Sequence, residues 1–146
     1  MLKDNNPKII VITGGLGFLA RQFVEELVKK KFYPIILDKK SRVDMQKFLN
    51  QINKKYNSNL IGYSVDITKE SSIKNISKKI YKKFKKIDIL INNAANNPAV
   101  TTKRNFFSET SLEKFKLSMW KKDIDVGLTG SFLASKYFGT LIAKNK

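Results

Sequence analysis

Three glycines, Gly14, Gly15 and Gly17, stand between an apolar run of strand length, Ile9-Ile10-Val11-Ile12, and a helical pattern of apolar residues, Phe18, Phe23, Val24, Leu27 and Val28. A strand buried on both faces reads as a continuous apolar run, so Lys8 to Leu27 predicts strand, tight turn and helix. Glycines allow positive φ and let a ligand approach without meeting a Cβ. The helix that follows aims unpaired N–H groups and the positive end of its dipole into the turn, an arrangement that suits a phosphate. The chemistry this spacing fits is binding the diphosphate of a dinucleotide, although a strand-to-helix turn of this kind also serves as plain packing in α/β proteins.

A carboxylate follows at a useful distance. Asp38 closes the run Pro34-Ile35-Ile36-Leu37, roughly 20 residues beyond the glycines, where a dinucleotide fold sets an acid against the adenosine ribose. Such a carboxylate accepts hydrogen bonds from both ribose hydroxyls and repels a 2′-phosphate, which favours NAD. Lys39, Lys40 and Arg42 beside it keep NADP as the alternative.

Composition narrows the chemistry further. The 146 residues contain no cysteine and no histidine, which excludes disulfides, thiolate catalysis, Cys/His zinc sites and imidazole acid–base chemistry. Proton transfer would have to use Tyr, Lys, Asp, Glu or water. The formal charge of +17 suggests an anionic partner in isolation. However, only Arg21, Arg42 and Arg104 are arginine, and the clusters Lys29-Lys30-Lys31, Lys78-Lys79, Lys82-Lys83 and Lys85-Lys86 fall at the ends or polar faces of expected helices. They read as solvated faces, and no nucleic-acid partner is expected. The N-terminus has no apolar signal-like core and no run approaches the ~18 residues of a membrane span, so the expectation is a soluble, cytoplasmic protein without a membrane partner.

The elements that position these residues alternate. Asp44 to Tyr56 repeats Met45, Phe48, Leu49, Ile52 and Tyr56 at helical spacing. A third strand, Leu60 to Val65, ends in Asp66-Ile67-Thr68, with Thr68 placed to cap the next helix, whose apolar side carries Ile73, Ile76, Ile80 and Phe84. A fourth strand, Ile87 to Ile91, runs into Asn92-Asn93-Ala94-Ala95. Asn96 to Ser108 is loop-like around Pro98, Thr110-Ser111-Leu112-Glu113 reads as a capping box opening a short helix, and Trp120 to Ala143 is a long helix. Strand–helix alternation with short joints specifies one Rossmann-type α/β domain, a parallel sheet in the order 3-2-1-4 with helices on both faces. The glycine turn, Asp38, Asp66 and Asn92 then all lie at carboxyl ends of strands, the edge where such sheets bind ligands.

Taken together, TGGLGFLA at Thr13 to Ala20, Asp38, VDIT at Val65 to Thr68, NNAA at Asn92 to Ala95 and the segment from Met119 to Lys136 resemble, in order, the short-chain dehydrogenase/reductase family. The resemblance implies an NAD(P)-dependent oxidoreductase moving hydride between nicotinamide and a carbonyl or secondary alcohol. It implies that Gly14, Gly17 and the neighbouring backbone of Thr13, Gly15, Leu16, Phe18 and Leu19 hold the pyrophosphate, and that Asp38 holds the adenosine ribose. Asp66 with the Ile67 backbone would contact adenine, and Asn92, Asn93 and Ala94 would line the adenosine and nicotinamide-ribose side. The long helix would be a subunit interface, making the complete enzyme a homo-oligomer. The DVGLTG segment and the Trp120 region look most like members from bacterial surface-sugar and flagellin-modification pathways, implying a sugar-derivative substrate.

Three departures qualify the pattern. The glycine turn is spaced like the family's extended branch, with Ala20 at the third glycine. Gly127 stands where most members carry the Asn that anchors a proton-relay water. The family's catalytic Ser and Tyr-x-x-x-Lys lie beyond the interface helix and have no counterpart in these 146 residues; Tyr81 to Lys85 matches the latter by letter only, ahead of the fourth strand. The expectation is an amino-terminal portion with no catalytic residue of its own, marginally stable in isolation and without turnover. The alternatives are an extended-type sugar-nucleotide epimerase or dehydratase, a non-catalytic dinucleotide-binding module and, last, a basic nucleic-acid-binding domain.

Overall fold

The structure, a computed structural model, describes residues 6–96 and 111–145. Four parallel strands, β1 (Ile9–Thr13), β2 (Tyr33–Asp38), β3 (Gly62–Ser64) and β4 (Ile89–Ile91), form one sheet in the order β3-β2-β1-β4. This is the order expected from the alternation. Every residue of β1 and β2 is buried, which explains why both read as unbroken apolar runs. The expected third and fourth strands are shorter than their apolar segments, because pairing covers only Gly62–Ser64 and Ile89–Ile91.

The helices divide between the two faces. Helix α1 (Phe18–Lys29) and helix α2 (Arg42–Tyr56) lie together, tied by Glu25, whose Oε2 accepts from Lys55 Nζ and Tyr56 Oη, both at 2.8 Å. Helix α3 (Glu70–Phe84) lies against a long helix over 117–143, tied by Glu70 Oε1, which accepts from Lys136 Nζ at 2.8 Å and Tyr137 Oη at 2.7 Å. The chain changes faces after β3, where the strand order reverses. This places the gap between the carboxyl ends of β1 and β4 at the switch point of the topology.

Side chains on the core face of each helix follow the expected periods, with one exception. Ala20, Val24 and Val28 bury the inner face of α1, whereas Phe18 is 81% and Phe23 44% exposed. Both phenylalanines belong to the apolar helical pattern of the sequence, yet they lie outside the buried face of the helix. Lys78, Lys79, Lys82, Lys83 and Lys85 are exposed, as a solvated face requires.

Two capping expectations are corrected. Thr68 does not cap α3: the N-cap is Lys69, with no side-chain hydrogen bond, and the Thr68 hydroxyl turns back to Asp66 Oδ1 at 2.7 Å. The Ser111-Leu112-Glu113 stretch opens no helix; Ser111 to Lys114 is a turn, and the long helix begins at Leu117 with Lys116 as N-cap. The expected loop at Asn96 to Ser108, beyond Asn96, and Thr110 lie outside the described residues. Within the long helix, Asp125–Gly130 and Ser135–Gly139 are π-helical, between α-helical turns at Leu117–Ile124, Ser131–Ala134 and Thr140–Ala143. Among the described residues no helix is long and apolar enough to cross a membrane.

Candidate functional site

The glycine turn is held from three sides. Gly15 N–H donates to Leu37 O at 3.0 Å, fastening it to β2, and Gly17 N–H closes it onto Gly14 O at 2.9 Å. Gly14 has φ +63°, and a Cβ there would lie 2.7 Å from Ala94 Cα; a Cβ on Gly15 would lie 2.5 Å from Ile36 Cγ2. These two glycines are therefore demanded by packing against β2 and the segment after β4. Leu16 is a plug rather than only backbone, its side chain buried at 2% exposure.

Gly17 differs from the other two. It is the N-cap of α1 and carries no side chain to accept a helix N–H, and no acidic residue occupies the first turn. The leading N–H groups of a helix have no intrahelical acceptor, so those of Phe18 and Leu19 point from the helix start with the positive dipole end behind them. A diphosphate fits that donor set.

Asp38 faces the same turn. Its Oδ2 accepts Leu16 N–H at 2.9 Å and its Oδ1 accepts Lys40 N–H at 3.0 Å, leaving one further lone pair on each oxygen for a hydroxyl. Asp38 is 8% exposed, while Lys39, Lys40 and Arg42 are exposed beside it. The carboxylate thus links the end of β2 to the glycine turn before any ligand is considered.

The segment after β4 closes the other side. The buried Thr13 hydroxyl accepts Asn93 N–H at 3.1 Å and Ala94 N–H at 3.2 Å, and Asn93 Nδ2 donates to Thr13 O at 3.2 Å and Gly14 O at 3.1 Å. Asn92 Nδ2 donates to Ser135 Oγ at 3.0 Å, fixing the end of β4 to the long helix. Asp66 lies at the end of β3's run with Oδ1 accepting both N–H and hydroxyl of Thr68. Burial works against its ionisation, but the two Thr68 hydrogen bonds, helped by Lys69 and Lys39, hold the carboxyl below its ordinary value. Ile67 is buried, with its side chain against Gly130.

All thirteen candidate binding residues therefore sit at the carboxyl edge of the sheet, with Thr13 and Gly14 joined to Asn93 and Ala94, Asp38 hydrogen-bonded to the turn, and Asp66 and Ile67 at the end of the β3 run. Gly127 lies in the first π-helical stretch, and nothing lies within 4 Å of where its Cβ would be. Tyr81 and Lys85 end α3, which leads into the start of β4, so they belong to the opposite edge of the sheet. Gly130 was missed by the sequence pattern; its signal was a second glycine one helical turn after Gly127. Among the described residues no group of His, Cys, Asp and Glu could hold a metal ion.

Residues 8–146 match the family model described as short chain dehydrogenase. The chain belongs to that family. It is 32% identical over 139 residues to an NAD-dependent glycerol dehydrogenase of Listeria innocua, covering 94% of this chain and 49% of that protein. It is equally 32% identical over 139 residues to a 3-oxoacyl-[acyl-carrier-protein] reductase of Buchnera aphidicola, covering 95% of this chain and 51% of that protein. Among solved structures, an NAD+-bound xylitol dehydrogenase superposes with a TM-score of 0.81 at 20% identity, over 98% of this chain and 51% of the other. The chain spans about half the length of the relatives it matches.

Proposed function

We propose that this short-chain dehydrogenase chain is the dinucleotide-binding portion of an NAD(P)-dependent oxidoreductase that transfers hydride between nicotinamide and a carbonyl or secondary alcohol. The observation that carries this is the uncapped start of α1 at Gly17 facing Asp38 across a turn at the switch point of the sheet. The helix start supplies N–H donors for the diphosphate, the free lone pairs of Asp38 receive the ribose hydroxyls, and Asp66 with the Ile67 backbone borders adenine. Asn92, Asn93 and Ala94 form the wall toward the nicotinamide ribose. The bound nicotinamide supplies the hydride chemistry; the chain's residues bind and orient it.

NAD is the proposed cofactor over NADP. Asp38 is held by two backbone N–H groups, so it has no freedom to swing away from a 2′-phosphate. Glycerol, 3-oxoacyl chains and xylitol figure in the names of the matching proteins, and a sugar derivative is the substrate class we favour, on the DVGLTG and Trp120 segments. The exposed Leu117, Trp120, Leu128 and Phe132 on the long helix suit a subunit interface in a homo-oligomeric complete enzyme. The family's Ser and Tyr-x-x-x-Lys being absent from these residues, the chain by itself is proposed to bind without turnover in the cytoplasm.

The test is calorimetric titration of the chain with NAD and with NADP, at moderate and high salt, for the wild type and Asp38→Ala. The proposal expects saturable NAD binding that persists at high salt, with the NAD-to-NADP affinity ratio shrinking in the variant. An unchanged ratio would remove Asp38 from the ribose site, and a folded chain that binds neither nucleotide would overturn the proposal.

A further inference from the structure

Arg21 stands where helix electrostatics disfavour it. It occupies the second turn of α1, close to the positive end of the dipole, with no acid in the first turn to offset it. It is solvent-exposed, yet its guanidinium is engaged twice. Nε donates to Leu16 O at 3.1 Å, and the guanidinium carbon lies 4.8 Å from the centroid of the Phe48 ring on α2. Phe48 is itself buried at 3% exposure, so the ring is a fixed platform.

The carbonyl that Arg21 engages belongs to the peptide joining Leu16 to Gly17. The N–H of that peptide donates to Gly14 O, and the preceding N–H, of Leu16, is held by Asp38. Leu16 is thereby pinned at its N–H by a carboxylate, at its C=O by a guanidinium and at its side chain by the core. A reversal of the Leu16–Gly17 peptide would break two hydrogen bonds together and would turn a carbonyl toward the space where a diphosphate would sit.

We propose that Arg21 is a positioning residue for the phosphate-binding turn: stacked on Phe48, it holds the Leu16 carbonyl away from the bound diphosphate and so fixes the donor geometry at the start of α1. The inference rests on the dinucleotide reading given above. It requires the flat fork of a guanidinium, because the ring contact uses its face while Nε reaches the carbonyl; an ammonium offers charge without that plane.

The experiment compares ADP-ribose, which carries the diphosphate, with adenosine, which does not, by NMR titration of the chain. Wild type, Arg21→Gln and Arg21→Lys are titrated, with thermal unfolding of the same samples. Loss of one charge-assisted hydrogen bond corresponds to about a tenfold loss of ADP-ribose affinity in Arg21→Gln, with adenosine affinity and the unfolding midpoint unchanged and at most partial recovery in Arg21→Lys. Equal losses for both ligands, no loss, or full recovery with lysine would overturn the positioning role. Should Arg21→Gln not fold, Phe48→Leu keeps the hydrogen-bonding atoms, removes the ring face and is expected to weaken ADP-ribose alone; no change there would overturn the role equally. A wild-type chain that is folded and does not bind ADP-ribose would instead remove the dinucleotide reading, and this inference with it.

Discussion

The hydroxyl of Thr13 accepts the backbone N–H of Asn93 at 3.1 Å, joining the last residue of β1 to the segment that follows β4. The same oxygen takes Ala94 N–H, and the side-chain amide of Asn93 returns to Thr13 O and Gly14 O. Two strand ends that face each other across the switch point are thus locked by one buried hydroxyl. A glycine turn and an Asn-Asn pair 80 positions apart in the chain act as one rigid edge.

Replacing Thr13 with valine keeps the shape and leaves the two N–H groups without their acceptor. Unpaired buried donors cost about 1–3 kcal/mol, so Thr13→Val is expected to lower unfolding free energy by that amount and to weaken NAD binding, while Thr13→Ser retains most of both. Urea denaturation followed by circular dichroism measures the first effect. A Val variant as stable as wild type would mean that the hydroxyl does not hold this edge.

Glycines in this chain separate into those that are required and those that are not. At Gly14 the backbone has φ +63° and a Cβ would meet Ala94 Cα at 2.7 Å, whereas Gly127 has open space around it. Gly14→Ala is expected to destabilise by more than about 2 kcal/mol, since left-handed strain and a backbone clash add. Gly127→Ala is expected to stabilise by about 0.5–1 kcal/mol through helix propensity. The two variants should move the thermal midpoint in opposite directions.

The strands, the sheet order and the glycine turn were readable because each is written locally: β1 and β2 are apolar throughout, and a short strand-to-helix joint leaves few topologies. The positions that escaped reading depend on partners far away in sequence. Phe18 stands in an apolar helical pattern and is nevertheless exposed, and Thr68 looks like a cap until Asp66 competes for its hydroxyl. The π-helical stretches Asp125–Gly130 and Ser135–Gly139 of the long helix have no counterpart in the apolar period of the segment. Asp38 and Leu16 stand out in the sequence by type and spacing, but that the Asp38 carboxylate fastens the Leu16 N–H follows only from the folded arrangement.

Asp66 should report its local geometry through its titration. Its carboxyl lies below the ordinary value of 3.8 despite burial, owing to Thr68 and the nearby lysines. A depressed folded-state pKa contributes stability that is fully present above the unfolded value and is lost as pH falls through the folded one. Thr68→Val removes the hydroxyl donor, so the Asp66 pKa is expected to rise toward 3.8, and both the stability Asp66 contributes at neutral pH and its share of the loss on acidification are expected to shrink. Carboxyl carbon NMR against pH reads this directly, and an unmoved Asp66 would show that the Thr68 N–H and the lysines set it without the hydroxyl.

Gly130 and Ile67 form the contact at which the long helix crosses the loop after β3. A Cβ on Gly130 would lie 2.6 Å from Ile67 Cδ1 and 2.7 Å from Cγ1. Gly130→Ala in the native background therefore gains helix propensity and loses more to overpacking, for a net destabilisation of about 1 kcal/mol. Ile67→Ala alone opens a cavity and costs about 2–5 kcal/mol, but it removes both atoms that the new methyl would strike. In that background Gly130→Ala is expected to change sign and stabilise, because only the propensity gain is left. The four chains of this cycle, unfolded in urea, give a coupling between the two sites that should exceed about 1 kcal/mol; additive effects would mean that the helix crosses the loop without touching Ile67 at this position.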